Sequence, residues 1–410
     1  MPGPLAHLTV LDLSRVLAGP WCTQHLADLG ATVIKIERPV HGDDTRAWGP
    51  PYLKDAQGHD TSESAYYLSC NRGKLSVAVD FTLPDGRSIV QELARSADVL
   101  VENYKVGGLA KHGLDYAAIH AINPRLVYCS ITGFGQSGPY AAHAGYDFII
   151  QGMSGFMSVT GERDDIPGGG PQKAGVAITD LVTGLFASTG ILAALAHRER
   201  TGVGQHLDTC LFDSAVAMMS AMNLNFLVTG QPPGRMGNAH RNIVPYQVFA
   251  CADGHLILAV GNDSQFAKFC EVAGVSAWAQ DPRFARNADR VRQRHVLVPM
   301  LEQLIRGKGQ REWLDLLEPL GVPCGPINTL DQVFDEPQLK ARVMRLDLPH
   351  ALAGSVPQVA LPIAFSDTPA VYERAPPLLG EHTASVLRER LGYDQARIDE
   401  LSRRQVIGVR

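Results

Sequence analysis

Apolar residues in the first third of the chain fall into short continuous runs, separated by stretches with helical spacing. LTVLDL (8–13) reads as a strand, PWCTQHLADLG (20–30) as a helix closed by Gly30, and TVIKIE (32–37) as a second strand. SVAVDF (76–81), PDGRSIVQELARSA (84–97) and DVLVEN (98–103) repeat the unit, and LVYCSITGFG (126–135) adds a strand and a glycine-rich turn. Continuous apolar strands alternating with helices predict βαβ units and a parallel sheet, an α/β Rossmann-like arrangement. Ligands of such sheets sit beyond the carboxyl ends of the strands.

The pattern changes after about residue 225. QVFACADGHLILAV (247–260) predicts an antiparallel hairpin around Ala-Asp-Gly. Helical stretches follow at 264–274, 287–305 and 311–321, then the Pro/Gly-punctuated GVPCGPI (321–327). The tail holds one strand candidate, VPQVALPIAFS (356–366), and helices over 380–391 and 394–405. The expected domains are a large α/β domain from 1–225 and 330–410, and a small α+β domain from 226–329.

The stretch GVAITDLVTG (175–184) places one carboxylate, Asp180, before sixteen uncharged residues (181–196). One reading is an N-cap for a helix over 181–198. The other is a nucleophile, oriented and kept ionised by the helix start, with Ala177, Thr179, Thr183 and Gly184 leaving room for a substrate. As a membrane span the apolar run is too short and too rich in Gly, Thr and Ser, so a buried helix is expected.

Composition narrows the classes. The chain has 410 residues, enough for two or three domains, and a net charge of −5 excludes a mainly electrostatic nucleic-acid binder. Seven scattered cysteines, without CxxC pairs or Cys/His clusters, read as reduced thiols in a cytoplasmic protein with no metal site. Cys70 and Cys324 are the candidates for a reactive thiol. The N-terminus enters a strand pattern at once, without a targeting segment. The first turn, RVLAGPWCTQHLADLG, lacks G-x-G-x-x-G, so Glu37 has no dinucleotide site to serve; G-x-S-x-G and P-loop motifs are also missing.

Three basic turns fall at equivalent ends of the predicted sheet. IERPVHGDDTRAWGPPY (36–52) carries Arg38, Arg46 and Trp48; NRGK (71–74) carries Arg72 and Lys74; VENYKVGGLAKHG (101–113) carries Asn103, Lys105 and Lys111. Each alone reads as a solvated loop; together they suit a nucleotide-type polyanion. TGFGQSGPY (132–140) contributes Gly135. AHAGYDF (142–148) opens a helix, with Asp147 as dipole partner or functional acid.

In these motifs the sequence resembles the class III CoA-transferase family (CaiB/BaiF), which includes formyl-CoA transferase, the carnitine CoA-transferase and α-methylacyl-CoA racemases. LDLSRVLAGPWCTQHLADLGATVIKIERP, CNRGK, DVLVEN, YCSITGFGQSGP, AGYD, RTGVGQ, GVPCGPI and PPLLGEHTASVL carry the likeness over nearly the whole chain. GDDTRAWGPPY, AITDLVTGL and GNAHRNIVPYQVF are most similar to its succinyl-CoA:glutarate branch. The resemblance implies an interlocked homodimer acting on acyl-CoA and a dicarboxylic acid, with coenzyme A as substrate and no tightly bound cofactor. It implies that Asp180 is the catalytic residue, forming mixed anhydrides and an aspartyl-CoA thioester. It implies CoA contacts at Arg38, Arg72, Lys74, Asn103, Lys111, Gly135, Tyr146 and Asp147, and an acyl pocket with Leu17 and Trp48. Arg235, His240 and Arg241, in PPGRMGNAHRNIVPY (232–246), are charge-based candidates for holding the acceptor acid. Leu17 stands where formyl-CoA transferase has Gln, and the glycine lid of that enzyme is missing, which disfavours an oxalate/formate activity. Tyr146 stands where racemases carry a His, which disfavours racemisation, since a phenol is a poor base at neutral pH. A racemase and a non-catalytic CoA-binding protein are the alternatives. Deuterium uptake at the α-carbon would mark the first, and a broad CoA-transfer assay would decide on the second.

Overall fold

The computed structural model describes residues 2–410. It divides into two compact units, one of residues up to 156, 174–223 and 338–410, the other of 157–173 and 224–337. The segment 157–173, which holds GGGP (168–171), thus groups with the second unit.

In the first unit, among the described residues, seven strands form one sheet. They are β1 (Thr9–Asp12), β2 (Thr32–Glu37), β3 (Lys74–Val79), β4 (Val99–Glu102), β5 (Val127–Thr132), β6 (His206–Cys210) and β7 (Ile407–Gly408), in the order β7-β3-β2-β1-β4-β5-β6. All neighbours are parallel except β7, which runs antiparallel to β3. The side-chain period of two sends the apolar runs to both faces. Leu11, Ile34, Val77 and Leu100 face α2 (Pro84–Ser96), α3 (Tyr116–Ile122) and the C-terminal helices Thr383–Leu391 and Gln395–Arg403. Val10, Val33, Val99 and Val127 share a core with Cys22 and Leu26 of α1 (Ala18–Asp28) and with Ala187, Ile191 and Ala194 of α5 (Ile178–Thr201). Between α3 and α5 lies the short α4 (Asp147–Met153).

The second unit is built on a three-stranded antiparallel sheet with His255–Ala259 between Tyr246–Ala250 and Cys324–Gly325. Helices Asp263–Val272, Arg294–Ile305 and Gln310–Leu317 bury Phe266, Phe269, Leu301 and Trp313 against Phe249 and Leu256.

Several local expectations shift. The helix over 287–305 is broken at Gln293, whose φ of −100° and ψ of 20° end Asn287–Arg292 before Arg294–Ile305 begins. Within 356–366 only the stretch up to Val359 is a strand, paired as a hairpin with Arg345–His350; Pro362 offers no N–H to extend the ladder. The helix carrying Asp180 begins at Ile178 with Ala177 as its cap, so Asp180 lies in the first turn and is not the N-cap.

Candidate active site

The carboxyl ends of β1, β4 and β5 continue into three turns: Leu13–Leu17, Asn103–Lys105 and the glycine-rich segment 133–145. These turns and the first turn of α5 enclose a cavity of about 190 Å³. Asp180 opens onto it beside Val16, Ala18 and Tyr146; Gly133 and Gly145 form another part of the wall. The two glycines are in backbone contact, and a Cβ on Gly133 would stand 2.6 Å from the Gly145 Cα. The glycine-rich turn therefore serves the site through Gly133, while Gly135, at φ +89°, lies beside Asp208.

A larger groove of about 790 Å³ adjoins this cavity and is lined by Arg38 and Lys111. Arg15, Tyr104 and Lys105 line both spaces. Asp44 ties the two ends together, accepting from the Arg15 guanidinium at 2.6 Å and from the Arg38 guanidinium at 2.7 Å. The result is a cationic, partly aromatic groove leading to one carboxylate.

Electrostatics single out that carboxylate. Asp180 is half-buried, and its pKa is pushed up to about 7, first by burial and then by the charge of Asp147; a hydrogen bond from the Ala18 amide opposes the rise. The expectation that the helix start keeps Asp180 ionised is therefore corrected: desolvation and a like charge outweigh the one opposing amide. Asp147 is fixed beside it, accepting from the Thr179 amide (2.9 Å) and hydroxyl (2.7 Å) and from the Gln151 amide (2.7 Å). Those bonds give Asp147 the work of setting the α5 start. Tyr66 lies within the field of Asp180. Its phenol is pushed up to about 12 by burial and then by the Asp180 charge, and its ring meets Trp48 edge-on at 5.1 Å. Leu17 is buried at the start of α1, between cavity-lining neighbours.

Other predicted residues are placed differently. Lys74 has no exposed surface and donates to Asp12, the Pro20 carbonyl and Asn71. Arg72 is buried in a bidentate pair with Asp28. Both charges are used inside the domain, so the structure gives them a packing role. The Asn103 side chain, on the cavity wall, is engaged at both ends by the Arg15 backbone. Burial pushes the Cys70 thiol up to about 12 and the Cys324 thiol up to about 11, which removes thiolate character from both. Arg235, His240 and Arg241 belong to the second unit. There Arg235 pairs with Asp164, Arg241 donates to the Gly234 carbonyl, and His240 tilts against Tyr246. Among the described residues no cluster has the make-up of a metal site. Sequence reading missed Arg15, Tyr104 and Tyr66 as site residues. The first two flank motif residues, and the Tyr-Tyr pair ahead of CNRGK was the available signal for the third.

The comparisons with known proteins bear on the family. The model for "CoA-transferase family III" matches residues 5–383. Succinate--glutarate CoA-transferase of Agrobacterium fabrum is 50% identical over 386 residues, covering 94% of this chain and 95% of that one. Human succinyl-CoA:glutarate CoA-transferase is 42% identical over 398 residues, covering 97% and 88%. The crystal structure of a CaiB/BaiF family protein from Brucella suis superposes with a TM-score of 0.83 at 48% identity, covering 95% of this chain and 100% of that one. By motif, fold and family match alike, the chain belongs to CoA-transferase family III.

Proposed function

We propose that the enzyme moves coenzyme A from succinyl-CoA to a dicarboxylic acid of glutarate type, through covalent intermediates on Asp180. The observation that carries this reading is one half-buried carboxylate of raised pKa at the end of a cationic groove. The identity to the two glutarate CoA-transferases supports the substrate pair.

In the proposed sequence an ionised Asp180 oxygen attacks the thioester carbonyl. The C–S bond breaks, leaving CoA thiolate and a mixed anhydride. The thiolate attacks the Asp180 carbonyl, the anhydride C–O bond breaks, and succinate leaves an aspartyl-CoA thioester. The acceptor carboxylate then attacks that thioester, and the same two steps in reverse return Asp180 and the new acyl-CoA. No net proton or electron moves, so the site needs a nucleophile, cations for the CoA phosphates and shelter from water, and no redox group. Arg15, Arg38, Lys105 and Lys111 are assigned to the CoA phosphates and pantetheine chain, with Tyr146 and Trp48 at the acyl end. Arg235, His240 and Arg241 are kept as candidates for the acceptor's far carboxylate.

We also propose that the working form is an interlocked homodimer. α5 is long and apolar enough to cross a membrane by composition, yet one side of it packs on the sheet; its other side exposes Leu185, Phe186 and Leu192. A second copy of the chain is the assigned cover for that face. Succinyl-CoA assayed against a panel of dicarboxylic and monocarboxylic acids, with products read by mass, tests the substrate assignment. Glutaryl-CoA should dominate, and exclusive transfer to monocarboxylates would overturn it. Native mass spectrometry at about 89 kDa, twice the 44.3 kDa chain, tests the dimer; a monomer alone would overturn it.

A further inference from the structure

The turn between β1 and α1 has a construction the reaction scheme does not use. In Ser14–Arg15–Val16 every backbone polar group is held by a side chain, and for five of the six groups that side chain comes from elsewhere in the fold. The Ser14 amide donates to Asp12 at 2.9 Å, and the Ser14 carbonyl accepts from Lys35 Nζ at 2.9 Å. The Arg15 amide donates to Asn103 Oδ1 at 2.9 Å, and its carbonyl accepts from Asn103 Nδ2 at 2.6 Å. The Val16 amide donates to both oxygens of Asp43, at 3.2 and 3.3 Å, and its carbonyl accepts from the Cys70 thiol at 3.6 Å.

Such an arrangement has a physical cost to offset. Val16 has φ +71°, a left-handed conformation that a β-branched side chain rarely adopts. A residue held there is strained and persists only where its surroundings over-determine it. The over-determining group is a buried ion pair. Asp43 Oδ2 accepts from Lys35 Nζ at 2.9 Å, and neither side chain is exposed. The same lysine holds Ser14 and the same aspartate holds Val16, so the pair grips the turn at both ends. Two residues on, Ala18 lines the same cavity as Asp180, and Val16 lines it too.

We propose that Asp43, paired with Lys35, is a positioning residue for the reaction: it holds Val16 left-handed and thereby sets the Val16–Ala18 wall of the cavity onto which Asp180 opens. This rests on Asp180 being the nucleophile. Asp43 touches no substrate in this scheme; it acts through the turn.

The test is a kinetic rescue. Asp43→Asn should lower kcat about tenfold or more, because small misplacements at a reacting group are expensive, while KM for succinyl-CoA stays within about threefold. Glycine adopts φ +71° without penalty, so adding Val16→Gly to Asp43→Asn should return kcat to within about threefold of the parent enzyme. A role confined to stability would lower the melting temperature without a selective kcat loss and would not be rescued at position 16. If the unpaired Lys35 prevents folding, the Lys35→Met/Asp43→Asn variant removes the buried charge and should show the same kcat loss and the same rescue. A folded Asp43 variant with full kcat, or one whose loss Val16→Gly leaves untouched, overturns the proposal. Asp180→Asn, run in parallel, separates the two readings. If it is inactive while Asp43→Asn is normal, only the positioning role fails; if it is active, the nucleophile assignment itself fails.

Discussion

Thr179 gives both of its hydrogen-bond donors, amide and hydroxyl, to one oxygen of Asp147, and so fixes a second carboxylate beside the residue that follows it, Asp180. Two acids thus share the start of α5. Asp147 is satisfied by three donors, whereas Asp180 faces the cavity. The asymmetry leaves Asp180 as the group whose charge is costly and whose oxygen is free to react.

The first consequence is a pH profile. A carboxyl pushed up to about 7 is largely protonated at pH 5.5, and only the ionised form attacks a thioester. The CoA-transfer rate should rise with pH through about 7 and level off above 8. A flat profile from pH 5 to 8 would contradict the raised pKa.

Asp147 supplies the assignment of that limb. Glu102 is also pushed up to about 7, by burial, and its Oε2 accepts from the Tyr104 amide, so a limb near 7 has two possible owners. Asp147→Asn removes the like charge facing Asp180 and should move the limb to lower pH, by about half a unit or more. An unmoved limb in Asp147→Asn, with a moved one in Glu102→Gln, would assign the limb to Glu102 instead.

Stability should run opposite to activity at this position. Asp180 has a folded pKa above its unfolded value, so its charge destabilises the native state as pH rises from about 4 through about 7. Asp180→Asn should therefore be more stable than the parent at pH 8, by about 1–2 kcal/mol after allowing for screening through the cavity, and the gain should shrink to nothing near pH 4. Denaturant titrations at the two pH values measure it.

Lys74 and Lys111, both placed in basic turns by sequence, should separate cleanly. Lys74→Met leaves Asp12 buried without its nearest cation and should cost roughly 3–5 kcal/mol of stability, seen in the denaturation midpoint. Lys111→Ala should leave that midpoint within about 0.5 kcal/mol and raise KM for acyl-CoA several-fold. The reverse pattern would restore Lys74 to the CoA site.

That pair also marks where the sequence is legible. Continuous apolar runs such as LTVLDL and DVLVEN specify strands of a parallel sheet, because only a sheet covered on both faces buries them. What NRGK does not reveal is the direction in which its cations point. The signal lies elsewhere, in the Asp12, Lys35 and Lys74 embedded in otherwise apolar strands: charges there must be paired with one another. Asp180 stands out as a candidate through its isolation before a long uncharged helix and through the surrounding motifs. Its raised pKa does not, because the neighbour responsible, Asp147, is distant along the chain and close only in the fold. The side-chain grip on Ser14–Val16 is hidden for the same reason, since Asp43, Asn103 and Cys70 come from three separate loops.

In the proposed mechanism Asp180 carries the acyl and CoA groups in turn. Brief incubation of the enzyme with succinyl-CoA, acid quench and peptide mass mapping tests it most directly. The peptide containing Asp180 should gain the mass of coenzyme A less water, hydroxylamine should convert this adduct to a hydroxamate at Asp180, and Asp180→Asn should show neither adduct nor transfer. An unmodified Asp180 peptide under conditions of active turnover, or full transfer by Asp180→Asn, would contradict it.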